Sequence, residues 1–330
     1  KAAADAAETA ALKEIYRLHT IFSLYDSQSE ISRLNGAESL IVSDDLLDLI
    51  QKCEEWRAVT ENIFSARIGS ILRVWRKAEK SKVLPDRPSL RIEADEIRSA
   101  NVSIDPETNT IERDSVVLWA TDAIAKGYTI DKAFEAALLA SPDASGMLLS
   151  IGGDIRLMGE SFQGGPWKIG VPEPQSQIDN TNPNLAVSLS QGAIATSGHS
   201  ARYFELDGKS YSHIIDTKSG WTIEPSHSAT VLAPDAATAD VLATTFTAMN
   251  AAESIRLAEK LPGIECLIYG YDKRKYVSSG WRAREFVSGL GNVQKDGWPN
   301  NYEVVIEYEV PKLKVSKYRA PYVAVWITDA

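Results

Sequence analysis

A change of hydrophobic period along the chain constrains its fold most. Leu12, Ile15, Leu18, Phe22 and Tyr25 recur at three and four residues, which lays one apolar stripe along a first helix expected to end near Asp26-Ser27. A second helix is expected from Ser43, a suitable N-cap, with Asp44 and Asp45 favourable in its first turn and Leu46, Ile50, Cys53 and Trp56 on its buried face. From Trp167 onward the pattern is mostly strand. Runs at Trp167 to Val171, Ala186 to Leu189 and Ala193 to Thr196 read as strands, as do Tyr203 to Leu206 and Tyr211 to Ile215 joined across Asp207-Gly208. Helices with such strands predict an α+β chain whose sheets are largely antiparallel.

Between these regions, residues 101 to 113 read as a hairpin turning at Asp105-Pro106-Glu107-Thr108. A helix is expected from Ala123 to Ala140, and a short strand from Met147 to Ile151, stopped by Gly152-Gly153. Thr238 to Lys260 returns to helix, and Cys266 to Tyr269 pairs with Lys275 to Ser278. Behind Arg284 the pattern changes, with Gly289, Gly291, Gly297, Pro299 and Pro311 punctuating short alternating runs such as Tyr302 to Tyr308 and Tyr322 to Ile327. The reading is a main domain at 1–284 and a short all-β extension at 285–330 that breaks off mid-pattern, as a truncated module would. His199, His213 and His227 are evenly spaced, but their flanks do not repeat.

The chain has 330 residues, enough for one large core or two medium ones. A formal net charge of -10 argues against a nucleic-acid or anionic-membrane surface. Any phosphate must be met by local groups. Cys53 and Cys266, the two cysteines, are too far apart in sequence to suggest a disulfide framework or a zinc site. No run approaches the ~20 apolar residues of a membrane span. Lys1-Ala2-Ala3-Ala4 lacks a signal peptide's apolar core, so a signal or lipid anchor would lie upstream of residue 1.

A few residues have the chemistry of a site. Asp240 and Thr244 are one helical turn apart and offer a carboxylate and a hydroxyl to one point. Such oxygens suit a hard cation. The alternative is an exposed Asp near a helix start with Thr244 bonding the carbonyl of residue 240. Lys126 beside Gly127 suits diphosphate oxygens or serves as a solvated helix lysine. By pattern alone, Tyr25 is a core tyrosine or a ring that stacks on a planar ligand. His213 on a strand is a general base or a structural histidine.

Six ordered segments connect these residues: Phe22-Ser23-Leu24-Tyr25 with Ser29 to Asn35; Ile63 to Gly69; Ala123-Ile124-Ala125-Lys126-Gly127-Tyr128; Ser150 to Ile155; Ala195-Thr196-Ser197-Gly198; and Ser212-His213-Ile214-Ile215-Asp216 with Asp240 to Thr244. In this order they resemble the ApbE-type FAD:protein FMN transferases, from about Phe22 to Leu267. The resemblance implies an ApbE-like, T-fold-related α+β architecture of antiparallel sheets packed with helices. It implies FAD contacts at Tyr25, Ile63, Phe64, Ser65, Ala120, Lys126 and Ile215, and Mg²⁺ held by Asp240, Thr244 and the Ala123 carbonyl, with His213 as base beside the phosphates. This chain departs from the family at Ser65-Ala66, where relatives have Asp-Pro, at Ala120, where many have Asp, at Asp122 for Gly, and at Ala243, which cannot ligate through its side chain.

The implied reaction is attack by a Ser or Thr hydroxyl of an acceptor flavoprotein subunit on the FMN-side phosphorus of FAD, with release of AMP. The implied setting is the periplasm or the outer face of the inner membrane, with a monomer or homodimer as the working unit. Two rivals stay open: a metal-dependent FAD pyrophosphatase in which water replaces the hydroxyl, and a non-catalytic flavin-binding protein.

Overall fold

The computed structural model describes residues 2–172, 185–198, 203–223, 228–270, 272 and 274–286, together with the backbone of 323–328. The chain opens with α1 (Ala2–Phe22), α2 (Glu30–Asn35), β1 (Ser39–Ile41) and α3 (Asp44–Val59). Next come α4 (Gly69–Ser81), α5 (Arg87–Ser99), the hairpin of β2 (Val102–Asp105) and β3 (Thr110–Arg113), and the long α6 (Asp122–Ala140). A run of strands follows: β4 (Gly146–Ile151), β5 (Asp154–Gly159), β6 (Trp167–Gly170), β7 (Ala186–Leu189), β8 (Gln191–Gly198), β9 (Tyr203–Leu206), β10 (Lys209–Ser212) and β11 (Ser228–Ala233). The described elements end with α7 (Ala236–Ala248), α8 (Ala251–Ala258), β12 (Glu265–Tyr269), β13 (Lys275–Val277), β14 (Glu285–Phe286) and β15 (Val323–Thr328).

Seven strands form the main sheet in the order β13-β12-β11-β8-β5-β4-β15. Every neighbouring pair in it is antiparallel. Alternate residues of a strand point to opposite faces, and both faces of this sheet are covered. Met147, Leu149, Ala195, Val231 and Ile268 pack against α1, α6 and α7, whereas Leu148, Leu157, Ile194 and Leu267 meet Trp167, Val187, Leu189 and Trp281 on the far side. There the second sheet, β14-β7-β6, makes the outer layer.

Helices α6 and α7 run unusually close, and Gly127 is the reason. A Cβ at this position would stand 2.2 Å from the Ala236 carbonyl oxygen, so only glycine permits the contact. Asp131, one helical turn further along α6, accepts hydrogen bonds from the N–H groups of Ala236 (2.8 Å) and Ala237 (2.9 Å) and an ion pair from Arg156 at 2.8 Å. Asp235 caps the same helix start through the N–H of Thr238. The two helices are thereby fixed in register, and the site is built on that register.

Several sequence expectations need correction. The first helix ends at Phe22 rather than near Asp26-Ser27, because Ser29 caps a separate α2 and the Ser23 carbonyl accepts from the hydroxyls of Ser29 and Ser32. The helix expected over Thr238 to Lys260 breaks at Met249-Asn250, where the Asn250 side chain accepts from the Glu253 N–H and starts α8. The strand expected over Tyr211 to Ile215 stops at Ser212, and Ile215 makes only an isolated bridge to Thr222.

Behind residue 284, β14 pairs with β7 and β15 pairs with β4, each joining a sheet of the main body. The strand expected over Tyr302 to Tyr308 lies outside the described residues, as do His199 and His227. No helix among the described residues is long and apolar enough to cross a membrane.

Candidate active site at the junction of α6 and α7

The α6–α7 register brings three charged groups together. Lys126 Nζ lies 2.7 Å from Asp154 Oδ2 and 3.7 Å from Asp240 Oδ1. Both carboxylates are deeply buried while the lysine side chain is 35% exposed, so the lysine is the solvent-facing member. Burial, together with the negative charge of Asp240, pushes the Asp154 carboxyl up to about 7 against the pull of Lys126.

Each member is placed by a distinct local cause. Lys126 rides on α6. Asp154 opens β5 immediately after Gly152 and Gly153, whose φ angles of +58° and +91° make the tight two-residue turn that only glycine adopts freely. A Cβ added to Gly152 would sit 4.0 Å from Lys126 Cδ, so the lysine stem passes beside this turn. Asp240 is on the buried face of α7, and its Oδ2 accepts from the Gly127 N–H at 3.1 Å. In a regular helix that N–H belongs to the Ala123 carbonyl. Asp240 therefore lies against the turn of α6 that carries Ala123. Thr244 stands one turn further along α7, half-buried.

Asp240 and Thr244 are one turn apart on α7, and Ala123 lies in the turn of α6 that Asp240 faces; oxygens of these three kinds are ones a small hard cation takes when substrate oxygens and water complete its shell. No group of three or more His, Cys, Asp or Glu suited to a metal occurs among the described residues. A cation held here would depend on main-chain, hydroxyl and substrate oxygens beside Asp240.

The remaining predicted residues sit on loops. Tyr25 is 65% exposed in the turn between α1 and α2, so it is not a core tyrosine. Phe64 is buried, and its N–H donates to Thr60 Oγ1 at 3.1 Å. Ser65 Oγ accepts from the Arg67 N–H, and Ile63 precedes them in a loop entered through Glu61 and Asn62, both at positive φ. This loop is stitched to the approach to α6: the Ala120 N–H donates to the Ala66 carbonyl at 2.6 Å, and the Gly69 N–H to the Leu118 carbonyl at 2.7 Å. Gly69 is obligatory there, since its Cβ would meet the Leu118 oxygen at 2.6 Å.

His213 follows β10 directly, half-buried. Ile215 is buried against the α4–α5 core. The same loop reaches back to the 61–65 loop through Thr217 Oγ1, which donates to the Asn62 carbonyl. Lys126, Asp240 and the Ala123 turn are thus in direct contact, and the loops bearing Ser65, Ala120 and His213 are joined by backbone bonds and one hydroxyl bond.

Asp154 is the residue that sequence reasoning missed as a site member. It belongs to the quoted Gly152-Gly153-Asp154 segment, and an acidic residue behind a Gly-Gly turn is a local signal. Its partner on α6 becomes visible only in three dimensions.

Residues 1–268 match the ApbE family. The chain is 30% identical over 269 residues to an FAD:protein FMN transferase of Vibrio cholerae, a stretch covering 79% of each chain. It is 27% identical to a protein of the same name from Haemophilus influenzae, over 72% of this chain and 71% of that one. The crystal structure of the ApbE protein of Thermotoga maritima superposes with a TM-score of 0.74 at 27% identity, covering 85% of this chain and 91% of the other. The flavin transferase ApbE of Vibrio cholerae gives 0.68 at 26% identity, over 85% and 90%. The mixed fold of helices and antiparallel sheets is the fold of these structures.

Proposed function

This chain belongs to the ApbE family, and we infer that it is an FAD:protein FMN transferase that works with Mg²⁺, releases AMP and delivers FMN to a Ser or Thr hydroxyl of an acceptor protein. The observation that carries this reading is the Lys126–Asp154–Asp240 group against the Ala123 turn. A cationic side chain and an all-oxygen donor set stand side by side there, as a diphosphate substrate with a hard cation requires.

In the step itself, the acceptor hydroxyl oxygen forms a bond to the FMN-side phosphorus, and the bond from that phosphorus to the bridging oxygen breaks. AMP leaves with that oxygen. The hydroxyl proton passes to His213, an imidazole being suited to that task near pH 7. Lys126 pairs with diphosphate oxygens and orients them. The flavin end rests on the loops of Tyr25 and of Ile63, Phe64 and Ser65, with Ala120 and Ile215 beside them. Mg²⁺, held by Asp240, Thr244 and the Ala123 carbonyl, would offset the charge that develops on the phosphate oxygens.

The test is incubation with FAD, Mg²⁺ and an acceptor peptide carrying Ser or Thr. AMP release together with covalent yellow label on the peptide is expected. AMP release with free FMN would make the chain an FAD pyrophosphatase, and FAD binding with neither product would make it a flavin-binding protein. Asp240→Ala should abolish the tightening of FAD binding by Mg²⁺; an undiminished Mg²⁺ effect would remove Asp240 from the cation site.

A further inference from the structure

Asp154 has no part in the reaction as described, yet it is 2% exposed and holds the lysine of the site at 2.7 Å. It opens an interior strand of the main sheet behind the Gly152-Gly153 turn, so its carboxylate is fixed in space. Lys126 is different: a long, partly exposed side chain that can swing. Its ammonium stands between two buried carboxylates, in contact with Asp154 and 3.7 Å from Asp240 Oδ1. Opposite charges at that separation attract strongly where water is excluded. An ammonium that closed fully onto Asp240 would occupy the oxygen a metal ion needs.

We propose that Asp154 is a positioning residue that tethers the Lys126 ammonium short of Asp240, leaving that carboxylate to the cation and aiming the lysine at the diphosphate. The proposal rests on the reading of Asp240 as a Mg²⁺ ligand. Its distinguishing consequence is that Asp154 acts on the cation through Lys126. Removing Asp154 releases the lysine onto Asp240 and makes it a competitor of Mg²⁺. With the lysine gone, Asp154 keeps only its direct contact with Asp240.

The experiment measures the Kd for FAD, by quenching of flavin fluorescence, with and without Mg²⁺, and takes the factor by which Mg²⁺ tightens binding. Four proteins are compared: wild type, Asp154→Asn, Lys126→Met and the double variant. Asp154→Asn is expected to lower the factor roughly tenfold in the wild-type background and by less than about twofold in the Lys126→Met background, a coupling of the kind a double-mutant cycle isolates. Lys126→Met alone should raise the factor, which keeps the idea testable if Asp154→Asn folds poorly. An equal effect of Asp154→Asn in both backgrounds, or a factor unchanged or lowered by Lys126→Met, overturns the tether. A Mg²⁺ factor in Asp240→Ala equal to that of wild type would remove the cation reading itself and this inference with it. Loss of the factor in Asp240→Ala with equal Asp154 effects in both backgrounds overturns the tether alone.

Discussion

The two ends of the site are built differently. Lys126, Asp154 and Asp240 sit on α6, β5 and α7, elements locked by a glycine contact and by Asp131 capping one helix from another. Tyr25, Ser65 and His213 sit on turns and loops, the last two tied together through a single hydroxyl bond. A diphosphate and its cation need fixed charges, because charge stabilisation is effective only when donors are already in place. A flavin ring and an approaching protein need surfaces that can adjust. On the proposed reading, rigid scaffold serves the phosphates, and loops serve the variable partners.

The contrast breaks most severely if the helix contact is not essential. Gly127→Ala drives a methyl group into the Ala236 carbonyl and should cost about 3 kcal/mol, the upper end for overpacking. Urea denaturation would show it, and a variant as stable as wild type would mean that α6 and α7 can separate freely.

Asp131 probes the same rigid end by pH. Burial raises its carboxyl to about 6, against the pull of the two N–H donors and Arg156. A folded-state pKa above the unfolded value gives stability that is present below ~4 and lost as pH rises through the folded pKa. Wild type should therefore lose stability relative to Asp131→Asn between pH 4 and 7, by up to about 3 kcal/mol. The opposite trend would show that the capping hydrogen bonds outweigh burial.

On the loop side, His213→Ala should lower turnover roughly 10²-fold, the scale of general-base loss, and leave FAD affinity within a few-fold. Equal losses in both would make His213 an anchor. The smallest effect is expected at Thr217→Val, which removes the hydroxyl bond to the Asn62 carbonyl and should cost about 1 kcal/mol of stability. The KM for FAD should rise while thermal unfolding shifts little, and an unchanged KM would show that the two loops act independently.

Much of this architecture was legible in the sequence wherever the cause is local. Ser43 accepts the Leu46 N–H as an N-cap should, and Asp207 and Gly208, at φ +48° and +75°, make the expected hairpin turn. Helices α4 and α5 also carried local signals that went unread: Ile71, Trp75 and Ala78 on one buried face, and Leu90, Ala94 and Ile97 behind an Asp86 cap with Pro88 in the first turn. Strand β11, buried at every position, shows no alternation to read. The site divides in the same way. Asp240 and Thr244 share a helix, so their common face follows from spacing, whereas the meeting of Lys126 with Asp154 depends on the start of an interior strand arriving beside a helix, which no short-range pattern encodes.

The place of β15 has a consequence for how the protein is made. Strand β4 lies between β5, synthesised just after it, and β15, whose Val323 pairs with Ile151 and Thr328 with Gly146. At ~5–20 residues per second, roughly 10–30 s pass between the emergence of β4 and that of its second neighbour. Throughout that interval the growing polypeptide displays an apolar strand with one row of N–H and C=O groups unclaimed, the arrangement most prone to pairing with another nascent chain. Yield of soluble protein should accordingly depend on how fast ribosomes cross the stretch of message between β4 and β15.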